Sequence, residues 1–291
     1  MNPQAIKPGI YPGLGMETYH AWKLDKDTLI EGPVSCSTLK RFALNPYAWR
    51  WTPEPKQTDA MRTGSLFDLA VTDPDALGSQ VVASPYDNYR TKEAREWRAD
   101  QLAAGLVIAD ADEVTHAQKA AERVREHRVA GPILDGADFQ VGCVGDIAGI
   151  PAKCLLDILP GEDGEWAETL VDYKTTSFGL NDEAIRRALG KWQYHWQAAF
   201  YSTLWNKVSP DRVATGFAFI FQDTVTLEIR VVKLSDDAMA LGTRAVKHAV
   251  EEYTRCAHKG IGSRYAASCD SLDLLPYHAM NEDELLTSAH A

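Results

Sequence analysis

Two aspartates and a lysine at the ends of neighbouring apolar runs are the residues of this chain best suited to chemistry. Asp157 lies in the run 154–159, and Asp172 and Lys174 lie at the end of the run 168–174. The segment 160–164 between them, Pro-Gly-Glu-Asp-Gly, is typical of a turn, so the two runs predict a β-hairpin. In such a hairpin the aspartates can approach each other, and Lys174 shares the face of Asp172 because strand side chains alternate.

Two carboxylates and an amine at one edge of a sheet can hold a hard divalent cation and orient a water molecule beside it. Hydrolysis of a phosphodiester needs little more than these groups. The alternative is an ordinary hairpin that carries two solvent-facing acids and a lysine, because D-x-K is a common tripeptide. The spacing alone leaves both interpretations open.

Two further blocks flank the hairpin along the chain. Residues 62–71 are typical of the start of a helix, in which Asp68 lies one turn after Gly64. Residues 192–201 place Gln193, Gln197 and Tyr201 at i, i+4 and i+8, so we expect them on one helix face. Polar groups on that face could contact DNA or Lys174.

Taken in order, and with the opening segment Val-Ser-Cys-Ser-Thr-Leu-Lys-Arg-Phe-Ala-Leu-Asn-Pro at 34–46, these blocks resemble the PD-(D/E)XK nuclease superfamily. Within it they resemble the RecE-like exonuclease domain of phage and prophage recombination systems. The similarity extends from residue 34 to about residue 205. It implies an α/β fold with a restriction-endonuclease-like core, in which helices flank a central mixed β-sheet. It also implies digestion of linear double-stranded DNA from 5′ ends, which leaves 3′ single strands for a RecT-like annealing protein.

The resemblance also implies roles for individual residues. The implied Mg²⁺ ligands, with Mn²⁺ able to substitute, are Asp68, Asp157, Asp172 and the main-chain carbonyl of Tyr173. Lys174 would position the attacking water or offset charge that develops on the phosphorane. Gln193 or Gln197 would hydrogen-bond Lys174 or a DNA phosphate, and Tyr201 would support the same face.

The chain departs from the family pattern at several positions. Asp68 stands where the family usually has a histidine, and a carboxylate suits Mg²⁺ or Mn²⁺ at least as well as an imidazole does. Gln140 and Val144 stand where a glutamate and a tryptophan are usual, and Lys153 where an arginine is common. Because Gln140 stands where an acid is usual, the sequence does not determine whether a second metal ion binds.

Length and composition set the domain organisation. The 291 residues, 45% of them hydrophobic and 9% aromatic, are enough for one substantial α/β core. We predict an N-terminal arm at 1–33, a nuclease domain at 34–270 and an acidic C-terminal tail at 271–291. No apolar run is long enough to span a bilayer and no signal peptide is visible, so we expect a cytoplasmic protein without a membrane partner.

The five cysteines fit reduced thiols better than a disulfide framework. Some members of the superfamily hold an iron–sulfur cluster with one early and three late cysteines. Here Cys36 is early, but Cys256 and Cys269 are the late ones and form no C-x-x-C pair. We therefore expect no iron–sulfur cluster.

The net charge of −11 argues against a protein that coats nucleic acid through bulk electrostatics. Basic residues nevertheless cluster at Lys40–Arg41, Arg90–Lys92, Arg95, Arg98, Arg186–Arg187 and Lys191. These clusters are either solvated helix faces or the lining of a local DNA channel. Because related exonucleases form rings, we expect a cyclic homo-oligomer of three or four subunits with its basic residues facing the hole.

Periodicity and capping signals predict the elements that position these residues. We expect helices at 35–43, 62–72, 111–127, 181–189, 192–206 and 236–258, and strands at 138–146, 151–159, 168–174, 213–221 and 224–234. Residues 75–110 read as polar, with a loop at 86–90. Three functions stay open: an exonuclease, an endonuclease on the same core, and a catalytically weakened DNA-binding recombination protein.

Overall fold

The computed structural model describes residues 6–53 and 58–263. The chain divides into a compact unit, Met1–Gly260, and a second unit, Ile261–Ala291. The predicted acidic tail at 271–291 and Cys269 lie outside the described residues.

A mixed β-sheet forms the centre of the first unit. The strands are β1 (Gly9–Tyr11), β2 (Val81–Val82), β3 (Val107–Ile108), β4 (Asp138–Ile147), β5 (Ile150–Leu159), β6 (Thr169–Thr176), β7 (Gly216–Asp223) and β8 (Ile229–Lys233). Among the described residues the main sheet has the order β1-β4-β5-β6-β7-β8, and β2 pairs separately with β3. β6 and β7 are parallel, whereas the other neighbours in the main sheet are antiparallel.

Helices cover both faces of the main sheet. They are α1 (Met16–Ala21), α2 (Cys36–Leu44), α3 (Pro46–Trp51), α4 (Asp59–Thr72), α5 (Leu77–Gln80), α6 (Lys92–Ala103), α7 (Ala111–Glu126), α8 (Ala130–Leu134), α9 (Asp182–Lys191), α10 (Tyr194–Val208) and α11 (Asp236–Lys259), with a 3₁₀ turn at Pro74–Ala76. The predicted fold class, α/β with a central mixed sheet between helices, is confirmed.

Local sequence explains where many of these helices begin. Ser35 accepts a hydrogen bond from the Thr38 N–H and so caps α2, and Asn181 caps α9 in the same way. At α7, Asp110 and Glu113 form a reciprocal capping box. Such caps satisfy N–H groups that the first helical turn leaves without partners.

The two faces of the sheet pack against different helices. On one face α4 and α7 form an apolar core with the sheet, to which Ile158, Val171 and Tyr173 contribute. On the other face α10 lies on β4 and β5 and packs against α2 and α11. Because strand side chains alternate, Asp157 and Asp172 face the α10 layer while Ile158 and Val171 face the α4 layer.

Several predicted boundaries differ from the structure. The 75–110 segment contains α6, which was missed because its buried side chain is Ala94 and the rest of it is polar. The β7–β8 turn lies at 224–228 and not at Gln222–Asp223. Gln222 continues the strand because its amide is satisfied inside the core, where it donates to the Ala120 carbonyl at 3.0 Å.

Other boundaries move by a few residues. α4 begins at Asp59 and not at 62, because Thr58 caps it, and β7 begins at Gly216 and not at 213. Part of the segment predicted as an N-terminal arm joins the sheet, since β1 pairs with β4. Over the described ranges, none of the helices is long and apolar enough to cross a membrane.

Candidate active site

The β5–β6 ladder opens at the two aspartates. Over the described residues the ladder is a single pair, Ile158 with Val171, and the next positions along it are Asp157 and Asp172. There the Tyr173 N–H donates to Asp157 Oδ2 at 3.2 Å. The paired part of the hairpin therefore ends at its two aspartates, and a backbone N–H of β6 bonds to one of them.

Lys174 is the counter-cation of these aspartates. Its ammonium forms an ion pair with Asp172 Oδ2 and lies 3.9 Å from Asp157 Oδ2. The Asp172 side chain is 2% exposed and that of Lys174 21%. Burial would lower the pKa of Lys174, but the charges of Asp172 and Asp157 outweigh that effect and hold it above the usual value. Lys174 is therefore a permanent cation.

Asp157 has the opposite environment. Burial, followed by the negative charges of Asp172 and Asp68, raises the pKa of Asp157 well above its usual value. Accumulated negative charge of this kind is relieved by a bound cation.

Gln197, on α10, fixes the orientation of Asp172. Its side-chain Nε2 donates to Asp172 Oδ1 at 2.5 Å, while Oδ2 is ion-paired with Lys174. Tyr201, one turn later on the same face, lines a cavity of about 110 Å³ together with Gln197. Burial raises the pKa of the Tyr201 phenol, which is therefore neutral. The cavity lining is completed by Tyr19, Ser35, Cys36, Ser37 and Lys40.

Gln193 does not share this position. It precedes α10 as its N-cap residue, with a left-handed backbone at φ 52°, so the helix begins two residues later than predicted. Its side chain has no hydrogen-bond partner among the described residues, whereas Gln197 bonds to Asp172. Gln197 therefore reaches the aspartates as predicted, whereas Gln193 lies before the helix and does not.

Asp68 reaches the same cluster from α4. Gln140 Nε2 donates to Asp68 Oδ2 and to Thr72 Oγ1, both at 3.3 Å. Within the described chain, Asp68 Oδ1 and Gln140 Oε1 are buried without a hydrogen-bond partner. Burial raises the pKa of Asp68 to about 6; the positive charge of Lys174 lowers this pKa and the negative charge of Asp172 raises it. Gln140 itself has φ 49°, a strained backbone at the β4 position opposite Asp157.

The donor set fits a hard divalent cation. Its side-chain donors are the carboxylates of Asp68, Asp157 and Asp172, and the Asp68 oxygen without a partner is an available ligand atom. The Tyr173 carbonyl is 3.4 Å from the Lys174 ammonium and so belongs to the same cluster. Across residues 6–53 and 58–263, however, no three His, Cys, Asp or Glu side chains stand in a ready-made metal-holding group. The Lys174 ammonium currently balances the charge of the aspartates.

The roles of two further residues were not predicted from the sequence. The Tyr194 ring lies 5.5 Å from the Lys174 ammonium. Lys153, buried in β5, donates to the carbonyls of Tyr19 and Trp22 and so holds the end of α1 on the sheet. The one sequence feature that pointed to Lys153 was that it stands where the family commonly has an arginine.

The basic clusters predicted from sequence are partly neutralised on their own helices. Arg186 and Arg187 pair with acids one turn away on α9, and Lys92 pairs with Glu96 on α6. Arg98 instead lies over the ring of Tyr89 at 4.8 Å. These contacts favour solvated helix faces for the α9 arginines and for Lys92.

Comparison with known proteins defines the class of this fold and site. Residues 35–274 match the family described as "PDDEXK-like domain of unknown function (DUF3799)". The match spans most of the chain, so the chain belongs to this family and has the PD-(D/E)XK fold. The superfamily part of the resemblance is confirmed, and the RecE-like part stays a prediction. No curated protein matches the chain.

Two solved structures are similar to the chain. A protein from Eubacterium rectale that is provisionally named an exonuclease shares 16% identity with a TM-score of 0.56, over 92% of this chain and 97% of that chain. This similarity concerns the fold. The protein SSO0001 shares 11% identity with a TM-score of 0.28, over 81% of this chain and 95% of that chain. No inference is based on a similarity this low.

Proposed function

We propose that this chain is a metal-dependent exodeoxyribonuclease that hydrolyses linear double-stranded DNA from 5′ ends in phage-type recombination. The observation that carries the proposal is the convergence of Asp157, Asp172 and Lys174 at the opening of the β5–β6 ladder, with Gln197 bonded to Asp172. This arrangement places acidic ligands and a cation beside one another on a preorganised sheet.

Each side chain has a defined task in this proposal. The groups that would hold Mg²⁺ or Mn²⁺ are the carboxylates of Asp68, Asp157 and Asp172 and the Tyr173 carbonyl. When bound, the ion would polarise a phosphoryl oxygen and make a water molecule more acidic. Lys174 offsets the negative charge that accumulates on the phosphate during attack. Gln197 keeps Asp172 in a single orientation, and Tyr201 supports the same helix face.

The exonuclease part of the proposal rests on similarity to other proteins, and the nuclease part rests on the geometry of the site. The provisional name of the Eubacterium rectale protein and the order of motifs both favour it. The 5′ polarity, a RecT-like annealing partner and a ring of three or four subunits follow from the RecE-like resemblance. With a net charge of −11, enclosure of DNA by a ring would provide retention that phosphate contacts alone do not.

A second candidate is a DNA-binding recombination protein with weakened catalysis. The observation that favours it is Gln140, whose amide bonds to Asp68 where an acid would add a ligand. An amide cannot contribute the negative charge of a carboxylate, so the affinity for metal would be lower.

Incubation with linear and covalently closed circular duplex DNA tests these functions. The purified protein is supplied with Mg²⁺, Mn²⁺ or EDTA, beside Asp172→Asn and the exposed control Asp237→Asn. We expect the wild type and the control to degrade linear DNA in either metal, with no degradation by Asp172→Asn or in EDTA. Cleavage of the closed circle would identify an endonuclease, and binding without cleavage in either metal would identify the second candidate.

A further inference from the structure

Two exposed aromatic rings flank one lysine near the candidate active site. Phe178 is 77% exposed and Trp192 is 53% exposed. The Lys191 ammonium lies 5.9 Å from the Phe178 ring centroid and 4.8 Å from that of Trp192. Single exposed aromatics are common, but two rings that share a cation form a defined apolar and cationic surface. We call Phe178, Lys191 and Trp192 the aromatic–lysine patch.

Both rings of the patch are connected to the active site through short stretches of chain. Phe178 follows Lys174 by four residues, just beyond the end of β6. Tyr194, whose ring lies 5.5 Å from the Lys174 ammonium, is two residues after Trp192. Two residues span at most about 7 Å, and phosphates of one DNA strand are about 3.4 Å apart along the duplex axis. The patch therefore lies within a few nucleotides of Lys174.

A second lysine joins the patch to the centre. Lys40, on α2, donates to the Trp192 carbonyl at 3.0 Å and also lines the cavity beside Gln197. Lys40 therefore contacts both the backbone of the patch and the cavity beside Gln197. A polyanion that extends from the centre to the patch would meet lysines along its path.

The backbone beneath the patch is held in place. The Phe178 N–H bonds to Thr176 Oγ1 at 3.2 Å, and Arg230 donates to the Leu180 carbonyl at 2.8 Å. Arg230 also pairs with Asp182 at 2.6 Å, which ties the loop to the start of α9. The rings thus face solvent from an anchored support, and little ordering is needed when a ligand binds.

We propose that the aromatic–lysine patch binds unpaired bases of a DNA strand next to the site of cleavage. Phe178 and Trp192 offer ring faces for base stacking, and Lys191 offers a cation to the adjoining phosphates. Two rings that share one lysine suit this ligand better than they suit an apolar protein surface, which would leave the ammonium of Lys191 desolvated. The proposal rests on the proposed nuclease function and adds to it a subsite for single-stranded DNA.

Binding of a labelled single-stranded oligonucleotide to the full chain, measured by fluorescence anisotropy in EDTA, tests the patch. We expect Phe178→Ala and Trp192→Ala each to weaken binding by about 10-fold or more, with little change in its salt dependence. Trp192→Phe should retain most of the affinity. Lys191→Ala should instead reduce the slope of log affinity against log salt by roughly 0.7.

Trp51→Ala is the matched control, because Trp51 is 66% exposed and has its own neighbouring cation in Arg50. We expect it to bind like the wild type. Unchanged binding in both Phe178→Ala and Trp192→Ala, or an equal loss in Trp51→Ala, would overturn the proposal. So would a wild-type oligomer that dissociates in Trp192→Ala, because the patch would then be a contact between copies of the chain.

The same variants separate this proposal from the proposed function. If the protein cleaves no DNA in Mg²⁺ or Mn²⁺ but the patch variants still lose single-strand affinity in EDTA, the nuclease function fails and the patch stands. If cleavage occurs and the patch variants bind like the wild type, the patch fails and the nuclease function stands.

Discussion

Replacement of Asp172 by alanine should destabilise the protein as well as inactivate it. Asp172 accepts a hydrogen bond from Gln197 Nε2 at Oδ1 and is ion-paired with the Lys174 ammonium through Oδ2. The variant leaves a part-buried amide donor unsatisfied, at a cost of about 1–3 kcal/mol. In the variant the Lys174 ammonium still lies 3.9 Å from Asp157 and is partly exposed to solvent. The free-energy cost of removing its partner Asp172 is therefore smaller than the roughly 3–5 kcal/mol for breaking a fully buried ion pair.

Relief of repulsion between Asp172 and its acidic neighbours offsets part of these costs. We therefore expect Asp172→Ala to lower the free energy of unfolding by about 2–4 kcal/mol. For a unit of this size that corresponds to a fall in Tm of roughly 4–16 °C. Asp157→Ala removes the acceptor of the Tyr173 N–H and the 3.9 Å contact with Lys174. It also removes a buried carboxylate whose charged form is disfavoured by burial and by Asp172 and Asp68, so its net cost should be about 1 kcal/mol.

Thermal unfolding in EDTA measures this difference, with the exposed Asp237→Ala as control. Both Asp157→Ala and Asp172→Ala should lose DNA cleavage in Mg²⁺, so activity alone does not distinguish them. An unchanged Tm for Asp172→Ala, or a larger loss for Asp157→Ala, would refute the stabilising network around Asp172. Near wild-type cleavage by Asp172→Ala would refute the assignment of the centre.

Other predictions follow from the same geometry. Lys174→Met should abolish cleavage yet reduce Mn²⁺ affinity, measured by calorimetry, much less than Asp157→Ala does; an equal loss of affinity would count against the separate roles. Asp68→Ala should weaken Mn²⁺ binding and Asp68→His should restore part of it, whereas unchanged titrations would make Asp68 a structural residue. Lys153→Met should release the end of α1 and increase proteolysis there, while Lys153→Arg should protect it, and equal cleavage of both would contradict the role of Lys153. Light scattering should give three or four times the 32.2 kDa chain mass, and a monomer that digests DNA processively would exclude the ring.

The sequence was sufficient for the features that depend on local periodicity and spacing. Strand alternation places Asp172 and Lys174 on one face, and the turn at 160–164 predicts the hairpin that brings Asp157 beside them. The helix at Cys36–Leu44 follows from a serine cap and a proline two residues after its end. These features are set within a few residues of chain, so a single sequence contains the information.

Tertiary packing decided what these residues contact. The 2% exposure of Asp172 comes from α10, whose Gln197 lies 25 residues away in sequence. Gln193 looked equivalent to Gln197 by spacing, but the junction of α9 and α10 gives it a left-handed backbone outside the helix. Lys153 meets carbonyls more than 130 residues earlier, and Lys40 meets Trp192 across 152 residues. Local periodicity specifies the face on which a residue lies, but the layers that meet at that face depend on how the whole chain packs, which no local pattern contains.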